Sequence, residues 1–329
     1  MVNEPELIPT RKIIWKDWLY NLGALFGLVL LSGVLAVLSP DFLTLNNLMN
    51  IARQSAINSL VSVGMLLPIL TAGIDLSVGS VLALATTTMA ILIIKLHVNP
   101  FIGVMVGLLL GAFLGFVNGI LLTKLHLPHP FISTLGTMNI ARGLALIITG
   151  ASPVSGFPVS VQFLGAAFWG PMPVSFILVI AVYIIFHFFL TRTTTGRYIY
   201  AVGGNPEASR LSGVPVEKVL IIVYTLSGLM ASLAGLVLVG RVNAAYPLAG
   251  LGYEMDAIAA VIIGGASFFG GVGTVWGTLV GALIMGVLRN GLNILGVSAD
   301  LQTVAIGAVV IGAVYVDVLR QRAITKSRR

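Results

Sequence analysis

The stretch GVMVGLLLGAFLGFVNG, residues 103–119, decides the kind of fold, because it is almost wholly apolar and has a glycine at every fourth position. Four residues are close to one turn of an α-helix, so these glycines form a smooth stripe along one side of a helix. A neighbouring helix can approach such a stripe closely, as helices in membranes often do. Gly273, Gly277 and Gly281 repeat the spacing. Both stretches predict close helix packing, and a lining for a permeation path is the lesser alternative.

The whole chain has the composition of a membrane protein. Of its 329 residues, 57% are hydrophobic and 9% are charged, and its mean hydropathy is +1.04. A soluble protein of this size has far more charged residues on its surface. The net charge of +7 does not indicate a nucleic-acid partner, because the basic residues stand singly at the ends of apolar runs rather than in one patch.

The residue types needed for a disulfide or a metal site are missing or scattered. The chain has no cysteine, and its four histidines are spread along it. His126 and His129 are close in sequence, but no carboxylate or further ligand lies nearby, so a short polar loop is the better interpretation. We therefore predict no metal site and no cofactor.

The apolar runs predict an all-α, polytopic integral membrane protein with about ten transmembrane helices, since each crossing needs about 20 apolar residues. The candidate segments are 20–39, 54–72, 77–95, 101–123, 131–149, 171–190, 217–240, 256–271, 273–290 and 300–318. The segments that flank Gly271 are short or closely joined, and a discontinuous region is expected near Gly73–Asp75. The chain is thus divided into an N-terminal segment (1–19), a transmembrane domain (20–319) and a basic tail (320–329).

The distribution of lysine and arginine predicts which side each end faces. With ten crossings both termini share one side, and that side collects 13 of the 18 basic residues. These residues are Arg11, Lys12, Lys16, Lys124, Arg192, Arg197, Arg210, Lys218, Arg320, Arg322, Lys326, Arg328 and Arg329. Because basic residues are enriched in cytoplasmic loops, both termini and the loop 191–216 are expected to be cytoplasmic.

This loop contains the stretch GGNPEASRLSGVP, which predicts a short helix over residues 206–212. Asn205 suits the N-cap and Pro206 the first helical position. Gly213 suits the position that follows the last turn. So short a helix is not stable alone in water. It therefore either packs on the ends of its own bundle or docks into a groove on a cytoplasmic partner.

Four blocks of the chain resemble the sugar permease subunits of ABC importers, of the ribose, xylose, arabinose and galactoside type. They are GRYIYAVGGNPEASRLSGVPV (196–216), LTAGIDLSVGSVLAL (70–84), FISTLGTMNIARGLALIITG (131–150) and VIIGGASFFGGVGTVWGTLVGALIMGVLRNGLNILG (261–296). The likeness extends over nearly the whole chain.

The resemblance implies a subunit that forms the translocation pathway for a small neutral sugar, ribose-like in the simplest case, in a bacterial cell membrane. The implied partners are a second permease subunit, identical or paralogous, a cytoplasmic ATP-binding subunit and an extracytoplasmic sugar-binding protein. The short helix matches the family's coupling helix, and the residues that would take this role are Asn205, Pro206, Glu207, Ala208, Ser209, Arg210, Leu211, Ser212 and Gly213. The chain has no phosphate-binding loop, so it is expected to be a permease rather than an enzyme.

Polar residues inside the predicted spans are candidates for the pathway. Asp75 is one, because an ionisable residue in a membrane segment is often functional. It also suits the cap of a helix that begins near Leu76, and capping is the favoured interpretation. A neutral sugar needs amide and hydroxyl partners, and the amides in spans are Asn58, Asn118 and Asn139. Each can equally form a hydrogen bond between helices, which is the safer interpretation.

Three charged residues, Arg241, Glu254 and Asp256, flank the stretch VNAAYPLAGLGY on the expected outer side. Charge complementarity could dock a binding protein there, although a solvated loop explains any one of these residues.

Two other functions stay open on the residues alone. An ion-coupled secondary transporter needs titratable or cation-coordinating groups in its core, and Asp75 is the candidate. A channel or a scaffold without transport activity would tolerate loss of the short helix, which a coupled importer would not.

Overall fold

A computed structural model describes residues 13–125, 127 and 129–326, with side chains at 23–125, 127, 129–315, 317 and 318. The first 12 residues of the predicted N-terminal segment, His126 and the last three residues of the predicted tail lie outside the described residues. The described residues form thirteen α-helices: α1 (Ile13–Leu38), α2 (Leu45–Leu70), α3 (Val78–Ala90), α4 (Pro100–Lys124), α5 (Pro130–Thr149), α6 (Val159–Ala166), α7 (Val174–Arg192), α8 (Thr194–Gly204), α9 (Pro206–Leu211), α10 (Val216–Val242), α11 (Tyr253–Ile263), α12 (Val275–Ile294) and α13 (Ala299–Lys326). A π-helical turn, Ile91–Lys95, extends α3.

Four strands of two residues each form two antiparallel pairs. One pair joins β1 (Val154–Ser155) to β4 (Ala244–Ala245), and the other joins β2 (Phe168–Trp169) to β3 (Met172–Pro173). Helix α9 precedes α10 in the chain, and β4 follows α10. The β1–β4 pair and α9 therefore lie at opposite ends of α10, a helix of 27 residues that is about 40 Å long. We call these ends of the bundle the strand end and the loop end.

Length and hydropathy identify the helices that can cross a membrane. Among the described residues, six qualify: α3 with its π-helical extension, α4, α5, α7, α10 and α12. Two further apolar stretches, Gly23–Leu38 and Ala299–Tyr315, are shorter. The all-α polytopic fold is thus confirmed, and the number of ten crossings stays a prediction.

The segment 256–271 differs from the continuous span that was expected there. Helix α11 ends at Ile263 after 11 residues, a length of about 16 Å, which is roughly half of a bilayer core. Residues 264–274 form a loop in which Gly265, Gly270 and Gly271 have positive φ angles. These conformations suit glycine and end the helix.

The glycine stripe of α4 packs against α10, as its spacing predicts. A Cβ added at Gly115 would collide with the carbonyl oxygen of Tyr224, and one at Gly119 would lie 2.7 Å from the Cα of Ile221. The backbones of α4 and α10 therefore touch. Helix α10 also contacts α2, whose second half is almost entirely buried. The paired helices α2 and α10 form the centre of the bundle.

This packing predicts that Gly115→Ala destabilises the protein. The added methyl group has no space, and overpacking of this kind costs about 1–3 kcal/mol. Gly307→Ala on α13 is the matched control, because a Cβ there meets nothing within 4 Å. The measurement is the thermal unfolding midpoint of each purified variant in detergent. Equal midpoints for the two variants would contradict the packing described here.

Candidate functional site

The helix α9 begins with the cap that its sequence predicts. Asn205 is the N-cap, and its Oδ1 accepts a hydrogen bond from the backbone N–H of Ala208 at 2.9 Å. Pro206 occupies the first turn, where its missing N–H leaves no bond unmade. The cap residue is extended, with φ −161°, and it also ends α8. One residue thus joins α8 to α9.

The other end of α9 closes on glycine. Gly213 has a φ of +82°. Its N–H donates to the carbonyl of Arg210, and the N–H of Val214 donates to the carbonyl of Ser209, both at 3.0 Å. This pair of bonds is a Schellman motif. The helix ends at Leu211, one residue before the predicted end, because Ser212 is its C-cap.

Most of α9 is exposed. Ser209 is its one buried residue, while Leu211 is 82% exposed. Glu207 and Arg210 form an open ion pair at 3.8 Å, with side chains 72% and 62% exposed. The result is a rigid turn of helix with both ends satisfied, which presents a large apolar side chain beside two charged ones.

Helix α8, which carries α9, is fixed to the bundle by a tyrosine that the sequence analysis did not select. The hydroxyl of Tyr200 donates to the carbonyl of Gly273 in the loop 264–274 at 2.9 Å. Burial raises the pKa of Tyr200 to about 12, so the hydroxyl keeps its proton. The alternation of aromatic residues in RYIY was the available signal, but its partner lies 73 positions away.

Asp75 is fully buried in the turn between α2 and α3. Its Oδ1 accepts from the N–H of Ser77 at 3.0 Å and from the Ser77 hydroxyl at 2.5 Å. Its Oδ2 accepts from the hydroxyl of Ser227 on α10 at 2.8 Å. Helix α3 begins at Val78, two residues after the predicted start near Leu76, and its N-cap is Ser77 and not Asp75. Asp75 holds this N-cap residue in place.

Two of the four predicted pathway residues belong to one hydrogen-bond network. The side-chain amide of Asn118 on α4 donates to the Ser77 hydroxyl at 3.0 Å. Its Oδ1 accepts from Thr137 on α5 at 2.6 Å. The chain of bonds from Ser227 through Asp75, Ser77 and Asn118 to Thr137 therefore ties the α2–α3 turn to α4, α5 and α10.

The other two amides lie apart from this network. Asn58 on α2 is half-buried, and its Oδ1 has no hydrogen-bond partner. Asn139 is exposed on α5, where its amide donates to the backbone carbonyl of Leu135 at 3.1 Å. Their roles in a pathway stay predictions.

The three residues selected for partner docking do not share one surface. Asp256 is 4% exposed, and its Oδ2 accepts from Arg289 on α12 at 2.6 Å. Glu254 is half-buried, and its carboxylate lies beside Gly79 on α3. Arg241 is partly exposed near the end of α10. The burial of Asp256 leaves its carboxylate no surface to offer a partner, so the predicted docking role of Asp256 is not supported.

Arg142 on α5 fixes the stretch that precedes α11. Its guanidinium donates to the carbonyls of Pro247 and Ala249 at 2.7 and 2.8 Å. Glu254 contributes a negative charge nearby. The sequence analysis did not select Arg142, although a lone arginine inside an apolar span is a usable signal of an internal partner.

Known proteins are similar to this chain over nearly its full length. Residues 47–314 match the profile of a family described as branched-chain amino acid transport system / permease component. The chain is 46% identical over 322 residues to the ribose import permease protein of Escherichia coli (strain K12), covering 96% of this chain and 99% of that protein. No solved structure matches the chain.

Two further relatives are almost as similar. The D-allose transport system permease protein of Escherichia coli (strain K12) is 45% identical over 299 residues, covering 90% of each chain. The ribose import permease protein of Bacillus subtilis (strain 168) is 42% identical over 309 residues, covering 93% of this chain and 95% of that protein.

The network around Asp75 predicts different stabilities for two substitutions at that position. Asp75→Asn keeps Oδ1 as an acceptor for Ser77, so it should unfold close to the wild-type temperature. Asp75→Leu removes every acceptor, and each buried donor left without one costs about 1–3 kcal/mol. Thermal unfolding of the purified variants in detergent measures the difference. If Asp75→Leu is as stable as Asp75→Asn, the network does not hold the α2–α3 turn.

Proposed function

The chain belongs to the family of branched-chain amino acid transport system permease components, and from that membership we propose that it is the membrane subunit of an ATP-driven importer for a small neutral sugar. The relatives at 42–46% identity are named for ribose and D-allose, and they cover at least 90% of this chain. A ribose-like monosaccharide is therefore the proposed cargo. The chain is a permease and not an enzyme.

The observation that carries the proposal is the capped and exposed helix α9. A partner that moves must be contacted by an element that does not deform. The backbone groups at both ends of α9 are satisfied by local hydrogen bonds. The side chain of Leu211 is exposed and free to enter a groove on a partner. We therefore assign coupling to the residues of the loop: Asn205, Pro206, Glu207, Ala208, Ser209, Arg210, Leu211, Ser212 and Gly213.

The assembly proposed around this chain has three further kinds of subunit. A separate ATP-binding subunit seats α9, since the chain itself has no phosphate-binding loop. A second permease subunit, identical or paralogous, covers the open side of α5, where Gly136 and Gly143 have no neighbour within 4 Å. An extracytoplasmic sugar-binding protein docks at the strand end, near Arg241 at the end of α10.

The orientation follows from charge. The loop end carries the basic residues Lys124, Arg192, Arg197 and Lys218, and basic loops stay in the cytoplasm. We therefore place α9 and both termini on the cytoplasmic side of a bacterial cell membrane. The sugar path runs along the exposed side of α5 past Asn139, with Asn58, Asn118 and Asp75 as further polar groups for the pathway.

The coupling role predicts that Leu211→Asp abolishes transport. The charge would be forced into the partner groove, and loss of a central apolar contact of this kind costs 2 kcal/mol or more, so uptake should fall by at least about 25-fold. Sugar uptake by the importer reconstituted in vesicles is the measurement, together with co-purification of the ATP-binding subunit. Leu125→Asp is the matched control, because Leu125 is also an exposed leucine at the loop end but lies outside α9. Normal uptake by Leu211→Asp would reject the coupling role.

The proposed cargo predicts ATP-dependent uptake of D-ribose by the reconstituted importer. A neutral polyol is expected to bind through hydroxyl and amide groups, so D-allose should compete and L-leucine should not. Uptake of labelled ribose with each competitor in about tenfold excess measures this preference. Uptake of leucine without uptake of ribose would overturn the sugar assignment.

A further inference from the structure

The segment 246–274 connects the two ends of the bundle through its interior. From the strand end towards the loop end, it comprises the stretch 246–252, the helix α11 and the loop 264–274. Residues 256–262 of α11 are all buried, and α11 packs against α2, α12 and α13. We call residues 246–274 the connecting segment.

The loop 264–274 is the lower end of the connecting segment, at the loop end of the bundle, and it is held by α8, the helix that carries α9. The hydroxyl of Tyr200 donates to the carbonyl of Gly273, and the N–H of Gly271 donates to the carbonyl of Leu70, both at 2.9 Å. A Cβ at Gly203 of α8 would collide with Leu70 and Gly271. The backbones of α8, α2 and the loop 264–274 are therefore in direct contact.

The stretch 246–252 is the upper end of the connecting segment, towards the strand end, and it is also held by a side chain and by a backbone contact. Arg142 binds the carbonyls of Pro247 and Ala249. The backbone of Gly250 lies against that of Gly79 at the start of α3, so that a Cβ on Gly250 would be 2.7 Å from the Gly79 carbonyl oxygen. This contact places the stretch 246–252 deep beside α3 rather than on the surface.

The connection continues to the strand end. Asn243 precedes β4, and its Oδ1 accepts from the N–H of Phe157 at 2.9 Å. Ala244 and Ala245 pair with Ser155 and Val154 of β1. A continuous series of bonded contacts thus runs from α9 and α8, through the connecting segment, to the strands at the opposite end.

We propose that the connecting segment is one mechanical element that carries the displacement of α9 to the strand end, with Tyr200 and Arg142 as the positioning residues at its two ends. This inference rests on the proposed function. Close-packed elements move as units rather than deforming, so a shift of α8 is transmitted wherever a bond and a steric contact act together. Tyr200 supplies that bond at the lower end and Arg142 supplies it at the upper end.

The test is the number of sugar molecules transported per ATP hydrolysed by the complete importer in vesicles. Tyr200→Phe removes one hydroxyl and keeps the ring, so this ratio should fall roughly two- to tenfold, the equivalent of one hydrogen bond. Arg142→Gln should lower it comparably. Tyr198→Phe is the matched control, since Tyr198 is a half-buried tyrosine of the same helix, and its ratio should be that of the wild type. An unchanged ratio in Tyr200→Phe would overturn the inference.

The double variant separates one shared element from two independent defects. Residues far apart normally have independent effects, so the two falls would multiply. A single element that is already disconnected at one end loses little more at the other, so the double variant should match the worse single variant within about twofold. Multiplied effects would show that no common element exists.

Hydrogen–deuterium exchange on the wild-type complex tests the same point without a variant. ATP binding should change the protection of residues 264–274 and of residues 246–252 together. A change confined to 264–274 would overturn the inference. Failure of the proposed function is distinguishable, because the wild-type complex would then transport no sugar when ATP is supplied.

Discussion

Polar groups inside a membrane bundle have no bulk water to bind, and the rest of this structure depends on how that constraint is met. The helices satisfy their own backbones, whereas the turn 71–77 and the loop 264–274 satisfy theirs only in part by local bonds. Their groups are bonded to the protein: Gly271 to Leu70, Ser77 to Asp75, and Phe268 to Asp317 at 3.0 Å. The bonds of Gly271 and Phe268 join elements that are distant in sequence, so the loop 264–274 holds separate helices of the bundle together.

The features that were predictable from the sequence are those with local causes. The caps of α9 depend on Asn205, Pro206 and Gly213, which lie within nine residues of each other, and they were predicted correctly apart from the last residue. The glycine stripe of α4 predicted a close neighbour for a similar reason, because the spacing of the glycines is visible in the sequence of that one helix. The sequence of α4 does not predict that the neighbour is α10.

The features that were missed depend on contacts between distant elements. The pair Tyr200–Gly273 spans 73 positions, and Arg142 binds carbonyls more than 100 positions away. Asp256 and Glu254 were assigned to an outer surface because the chain was expected to emerge there. In the structure the stretch before α11 turns back beside α3, and this displaces both carboxylates into the bundle, where Asp256 meets Arg289. The periodicity of apolar residues in the sequence does not predict how deep a loop or a short helix lies inside the bundle.

The account as a whole joins a rigid external helix to an interior that is tied together by buried bonds. Its central claim is that α9 sits in the ATP-binding subunit. The chain has no cysteine, so Leu211→Cys introduces a single reactive thiol on α9, and Val159→Cys introduces one at the strand end. Cross-linking of the assembled importer with a short thiol-to-amine reagent is the most direct measurement. The account predicts a cross-link from position 211 to the ATP-binding subunit and none from position 159. A product between position 159 and the ATP-binding subunit, or none from 211, would contradict it.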